Sequence, residues 1–181
     1  ALIATGMKSK VYIVDKSSLR LEQLKGIFGD RITPVKSEQV DLKKLISECD
    51  LLIGGVLIPG AEAPKLVTKD MLKVMKRGSV IVDVAIDQGG CVETSKPTTH
   101  ANPTYTVDDI VHYCVTNMPG GVPRTSTLAL NKATLPFLAK LANMGYVKAL
   151  KEDKNFLAGL NILKGQVTYK AVADVFGHKY V

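Results

Sequence analysis

The sequence holds 181 residues, 46% hydrophobic and 23% charged, with 15 Gly, no Trp and 6% aromatics. A chain this long can bury about 70% of the surface that its unfolded form exposes, which excludes disordered, collagen-like and disulfide-stapled miniprotein classes. Its 24 basic residues outnumber 17 acidic ones for a formal charge of +7. The lysines, among them Lys8, Lys16, Lys43, Lys73, Lys140, Lys151 and Lys164, form no run and interleave with no aromatics. No nucleic-acid face is therefore expected, although a modest positive field favours an anionic ligand. The longest apolar stretch, Leu51 to Ala61, is broken by Gly54, Gly55, Pro59 and Gly60 and falls short of the ~20 residues that span a bilayer, so no membrane segment is expected. Cys49, Cys91 and Cys114 lie far apart, and His100, His112 and His178 do not cluster with them. Reduced thiols, a cytoplasmic location and no metal site are expected.

In chain order, the opening Ala1 to Ala4 reads as the tail of an apolar helix that turns at Gly6. Val11 to Asp15 is predicted as a buried strand ending in an acid. Ser17 or Ser18 caps a helix using Leu21, Leu24 and Phe28, and Gly29 stops it. Arg31 to Val35 is a second strand, Asp41 caps a helix with Leu42, Leu45 and Ile46 on one face, and Asp50 to Gly54 is a third strand. Thr68 caps a helix using Met71, Leu72 and Met75 that closes at Gly78. Ser79 to Val84 reads as a strand buried on both faces, and Ile110 to Val115 as another. This alternation implies an α/β fold, a doubly wound parallel sheet with right-handed crossovers. From Arg124 the texture changes: Thr125 or Ser126 opens a long apolar helix, with Pro136 expected to kink it and Gly145 to end it. Lys170 to Phe176 is helix-like, and nothing after Tyr146 extends the sheet. A boundary near Pro123 divides residues 1–123 from 124–181.

A strand ending in an acid, as Val11 to Asp15 does, recurs in dinucleotide-binding sheets, where the carboxylate takes both ribose hydroxyls of adenosine and repels a 2′-phosphate. An acid at that position can equally be a helix-capping loop residue. The G-x-G-x-x-G loop that should precede such an acid by about 20 residues is missing from the sequence. Either the sheet never bound a dinucleotide, or the sequence starts inside the helix that the glycine loop opens. The start at Ala1 fits the second expectation.

Four strings decide the matter: Leu51 to Val67, Val82 to Gly90, Lys96 to His100, and Asn117 to Thr127. They closely resemble the alanine dehydrogenase family, and the resemblance runs from the first residues to about Gly145 and more loosely beyond. The NAD-binding subunit of proton-translocating transhydrogenase shares the fold but differs in the loop matching Ile86-Asp87-Gln88-Gly89-Gly90. The resemblance implies a Rossmann-type NAD-binding domain over residues 1–123, lacking its first strand and glycine loop. Residues 124–181 are then a helical segment of the discontinuous substrate domain.

Position by position, the resemblance implies that Asp15 holds the adenosine ribose and favours NAD over NADP. Arg20 lies near the adenosine end and Ser37 near the adenine. Val56 and Leu57 supply backbone that passes over the cofactor, where a Gly-Gly pair permits close approach. Val84, Ala85, Ile86 and Asp87 lie beside the nicotinamide, with Asp87 the active-site acid, stabilising the iminium or positioning the attacking water. As a bare motif, an Asp before Gln-Gly-Gly is a turn residue. Lys96 matches a basic cofactor contact, and Val115, Thr116, Asn117 and Met118 match the loop around the nicotinamide ribose. His100 and His112 are expected in surface or structural roles, and the Asp108-Asp109 pair at an exposed strand entrance. In the family the catalytic histidine and the substrate-gripping lysine and arginine come from an amino-terminal domain. The implied activity is reversible oxidative deamination of L-alanine to pyruvate and ammonium by a homo-oligomer, commonly a hexamer. A transhydrogenase subunit, or a cofactor-binding piece without catalysis of its own, are the alternatives.

Overall fold

A computed structural model describes residues 1–58 and 62–181; Pro59, Gly60 and Ala61, inside one of the matched strings, lie outside the described residues. After a first helix, α1 (Leu2–Gly6), the chain alternates strand and helix. β1 (Val11–Asp15), α2 (Ser18–Phe28), β2 (Ile32–Lys36), α3 (Leu42–Ser47), β3 (Leu51–Gly54), α4 (Lys69–Leu72) and β4 (Val80–Asp83) follow in order. The caps are those the side chains can supply: Ser17 accepts from the Arg20 N–H, Asp41 from that of Lys44, and Gly29 ends α2 at φ +58°.

α4 is shorter than its pattern predicts. The amides of Met71, Val74 and Met75 bond three residues back, to Thr68, Met71 and Leu72. The helix thus tightens into turns after Leu72, yet Leu72 and Met75 still enter the core.

With β5 (Thr104–Val107) and β6 (Ile110–Tyr113) added, the strands form a β1–β2 parallel pair and a four-stranded sheet in the order β3-β4-β6-β5. β3, β4 and β6 are parallel, whereas β5 is antiparallel to β6. The sheet is thus parallel-dominated with an antiparallel edge. β5 was not expected from the sequence, and Asp108 and Asp109 are the turn of its hairpin, both at positive φ (51° and 63°), rather than a strand entrance. Paired positive φ values suit the primed hairpin turn, for which Asp is among the tolerant residues.

The core lies between the larger sheet and the elements around it, with Ile46, Val67, Leu72, Ile81, Cys91, Val92 and Ile110 packed together. Two burial expectations are corrected. β1 is half-buried and leaves Val14 exposed, because β2 is its sole partner among the described strands. β4 alternates: Ile81 and Asp83 are fully buried, Val80 and Val82 less so.

α5 (Pro123–Met144) starts at Pro123 itself, without a side-chain cap from Thr125 or Ser126, and its helical span includes Pro136 before Gly145 ends it. None of its 22 residues is buried. α6 (Tyr146–Glu152), α7 (Lys154–Leu157), the small hairpin β7 (Ile162–Leu163) and β8 (Gln166–Val167), and α8 (Lys170–Phe176) complete the chain. No described helix is long and apolar enough to cross a membrane.

Candidate functional site

The candidate residues cluster in the stretches that follow parallel strands, at their carboxyl ends, where open α/β sheets bind ligands. Asp15 ends β1, Arg20 lies in the first turn of α2, and Ser37 opens the 3-10 turn after β2. In register Asp15 faces Lys36, so Ser37 lies one residue beyond the partner of Asp15. One oxygen of Asp15 accepts the Ser17 N–H at 2.8 Å. This is the local turn role, and it leaves the second oxygen open to a ligand. Arg20 and Ser37 are exposed, and the Arg20 guanidinium reaches Gln23 at 3.2 Å.

A second group gathers beyond β3, β4 and β6. Its organiser is Asp83, a carboxylate with no exposure at the end of β4. It accepts from the amides of Ala85 (3.1 Å), Cys91 (2.9 Å) and Val92 (3.1 Å) and from the Ser95 hydroxyl (2.6 Å), with the Cys91 thiol at 3.5 Å. A buried charge persists where donors replace water, and here they come from both sides of a loop. Asp83 therefore shapes the 3-10 turn Val84–Gln88 and the descent toward Lys96. Burial, reinforced by Asp83, pushes the Cys91 thiol up to about 11 and keeps it protonated.

Within that turn Ala85 and Ile86 are buried, and Val84 and Asp87 face solvent. The turn is anchored from outside by residues 62–67. Ala63 donates its amide to the Gln88 carbonyl, Leu66 to that of Cys91, and the Lys65 ammonium to the carbonyls of Gly89 and Gly90. Gly54, ending β3, sits so close that a Cβ there would collide with the Cys91 sulfur. The Val56 backbone also reaches that thiol. Val56 is half-buried and Leu57 exposed.

Lys96 is exposed, and its backbone amide donates to the Tyr105 hydroxyl at 2.6 Å. Two residues on, Thr98 bridges to Val115: its amide donates to the Cys114 carbonyl at 2.9 Å, and its carbonyl accepts from Thr116 at 3.3 Å. His100 then bonds the Asn117 carbonyl at 2.7 Å, and Gly120 and Gly121 leave space for its ring. Met118 begins a 3-10 turn for which the Asn117 side chain accepts from Gly120. Lys96 and the loop Val115 to Met118 are thereby stitched together.

Both histidines are engaged locally. His112 has no exposure, and its Nδ1 lies 3.0 Å from the Ile110 carbonyl. A carbonyl only accepts, so Nδ1 carries the proton and Nε2 accepts from the Thr94 hydroxyl at 2.8 Å. Burial holds its pKa below the ordinary 6.5. Sequence reasoning missed Asp83, Ser95, Lys65 and Tyr105. A signal existed for Asp83 alone, an acid in an apolar strand on the same period-2 face as Ile81.

Residues 1–170 match the family model described as alanine dehydrogenase/PNT, C-terminal domain. The alanine dehydrogenase of Halomonas elongata is 58% identical over all 181 residues, which correspond to 49% of that protein. Among solved structures, an L-alanine dehydrogenase matches with a TM-score of 0.84 at 48% identity, over 97% of this chain and 48% of that one. A transhydrogenase from Sinorhizobium meliloti matches with a TM-score of 0.66 at 28% identity, over 82% of this chain and 42% of that one. The chain spans about half the length of the curated relatives it matches. A family match over residues 1–170, on a sheet whose loops at the carboxyl ends of its strands are tied into one network, makes this chain a member of the alanine dehydrogenase/PNT C-terminal domain family.

Proposed function

We propose that the chain is the NAD-binding part of an alanine dehydrogenase, with residues 1–123 as the cofactor domain and 124–181 as a helical segment of the substrate domain. The observation that carries this reading is the 58% identity to a protein named alanine dehydrogenase across the whole chain. The transhydrogenase alternative has 28% identity over 82% of the chain and is the weaker reading. The reading extends to a cytoplasmic homo-oligomer, a hexamer as is common in the family. The exposed leucines of α5, Leu128, Leu130, Leu135 and Leu138, support a surface that is covered in the whole protein.

The residues fit a dinucleotide. Asp15 keeps one carboxylate oxygen free at a strand's carboxyl end, Gly55 has open space where a Cβ would stand, and among the described residues the exposed Lys96 ammonium has no hydrogen-bond or ion-pair partner. In the proposal Asp15 binds the adenosine ribose hydroxyls, with Arg20 and Ser37 at the adenosine end. Val56 and Leu57 line the middle of the site, and Lys96 offsets anionic charge. Val84 to Ile86 and Val115 to Met118 enclose the reacting ring. When bound, NAD supplies the hydride acceptor for the Cα of L-alanine. The Asp87 carboxylate faces that centre from the solvent side of a rigid turn, and there it stabilises the positive charge that develops on the nitrogen-bearing carbon. Holding the reacting atoms roughly 3 to 3.5 Å apart is the remaining task of the fold.

The test is alanine-dependent NADH formation by the intact protein, with Asp87→Asn compared in kcat and in NAD affinity. The reading expects turnover, and a kcat loss in the variant of at least about tenfold with NAD affinity nearly unchanged, because the charge acts in the transition state. No turnover with alanine rejects the activity, and equal losses in both quantities assign Asp87 to structure.

A further inference from the structure

We propose that Tyr105 and Ser95 are positioning residues for Lys96, clamping from two sides the backbone that presents its ammonium to the cofactor. The inference rests on the reading of Lys96 as a cofactor contact. Residues 94–96 belong to no helix or strand, so their geometry comes from side chains that reach in. Each of the three is tied to a different strand.

Thr94 is held by β6, through its hydroxyl on His112 Nε2 at 2.8 Å. Ser95 is held by β4, through its hydroxyl on Asp83 at 2.6 Å. Lys96 is held by β5: the Tyr105 oxygen accepts the Lys96 amide at 2.6 Å and donates its own proton to the Thr94 carbonyl at 2.8 Å. The Cys114 sulfur closes the set, 3.8 Å from the Ser95 hydroxyl and 3.7 Å from that of Tyr105.

The phenol does both jobs because it is fixed and neutral. Its ring stacks on His112 at 5.0 Å and 21°. Burial, reinforced by the Cys114 thiol, raises its pKa well above 10, so the donated proton stays in place. A lysine has a long, mobile stem, and the place where its ammonium spends its time follows its backbone. Fixing residues 94–96 therefore lowers the ordering cost when an anionic group binds.

In the intact protein, NADH affinity is measured by fluorescence titration for Lys96→Ala, Tyr105→Phe and the double variant. Tyr105→Phe keeps the ring on His112 and removes the hydroxyl alone. Ser95→Ala and its own double variant with Lys96→Ala repeat the cycle if Tyr105→Phe does not fold. The expected result is a loss for Lys96→Ala, a loss of about 3- to 10-fold for Tyr105→Phe, and no further loss when the two are combined. Tyr105→Phe binding as well as wild type overturns the inference, and so does a loss that persists in full without Lys96, which marks a general structural effect. Unchanged NADH affinity in Lys96→Ala overturns the cofactor reading of Lys96 and the clamp with it.

Discussion

A carboxylate can be spent wholly inside a fold or keep an oxygen to spare, and Asp83 and Asp15 illustrate the two cases. Asp83 is surrounded by three amides and a hydroxyl, with no accessible surface, and has nothing left for a ligand. Asp15 spends one oxygen on the Ser17 amide and keeps the other. Charge-assisted bonds to ribose hydroxyls are worth about 1.5 to 3 kcal/mol. Asp15→Ala in the intact protein is thus expected to weaken NADH binding by roughly tenfold or more while leaving NADPH binding unchanged or improved, because the repulsion of a 2′-phosphate is lost. Fluorescence titration with both cofactors reads this directly, and equal losses for the two would sink the ribose assignment. The place of Asp15 at the end of β1 was legible in sequence because a strand ending in an acid is a local pattern. Ser95 and Tyr105 were not, since their importance comes from partners twelve and nine residues away, Asp83 and Lys96, that no periodicity brings together.

At the scale of elements, β2, α2, α3 and β3 were legible because each carries its own punctuation: a capping Ser17 or Asp41, a stop at Gly29, a run of apolar residues. Of the β5–β6 hairpin only the second strand was expected, over Ile110 to Val115. Thr104–Val107 is only four residues long, and the turn between the strands is Asp108-Asp109, without the glycine of the common Asn-Gly and Asp-Gly hairpin turns. The expected burial of β1 failed for a different reason, since burial depends on neighbours and β1 has β2 alone among the described strands. Close packing between elements yields its own prediction at Gly54. Any Cβ at the end of β3 meets the Cys91 sulfur and lies 3.5 Å from an Asp83 oxygen, and Cys91 cannot retreat because its amide is bound to Asp83. Gly54→Ala is expected to cost about 1 to 3 kcal/mol through overpacking. Part of that should return in Gly54→Ala/Cys91→Ala, which vacates the sulfur. Thermal unfolding of the two variants measures it, and a Gly54→Ala midpoint equal to wild type would show that β3 shifts freely against the loop.

At the scale of the whole molecule, the surface is too large. The described chain exposes 12511 Å², against about 8,500 Å² expected of a folded monomer of this length. The excess has an address. α5 has no buried residue and leaves Leu128, Leu135 and Leu138 about 60% exposed, at 62%, 62% and 59%, while Leu51 and Ile53 of β3 are 51% and 62% exposed. Single exposed leucines are ordinary, but apolar faces on both a 22-residue helix and a parallel strand are not. β1 and β3 each pair with one described neighbour, so each also offers unpaired backbone groups along one edge. These surfaces fit a body that is completed by more protein, in keeping with relatives of which it spans 49%. Prepared alone, the 181-residue chain is therefore expected to bind a hydrophobic dye, to self-associate in sedimentation velocity, and to unfold at a lower temperature than the intact protein. The association should weaken when Leu128 and Leu135 of α5 are both changed to Lys, because two charges on that face make its burial costly. A dye-silent monomer that unfolds as cooperatively as the intact protein would show that the faces on α5 and β3 are tolerated in water. The proposed assignment of residues 124–181 to a second, shared domain would then lose its main physical support.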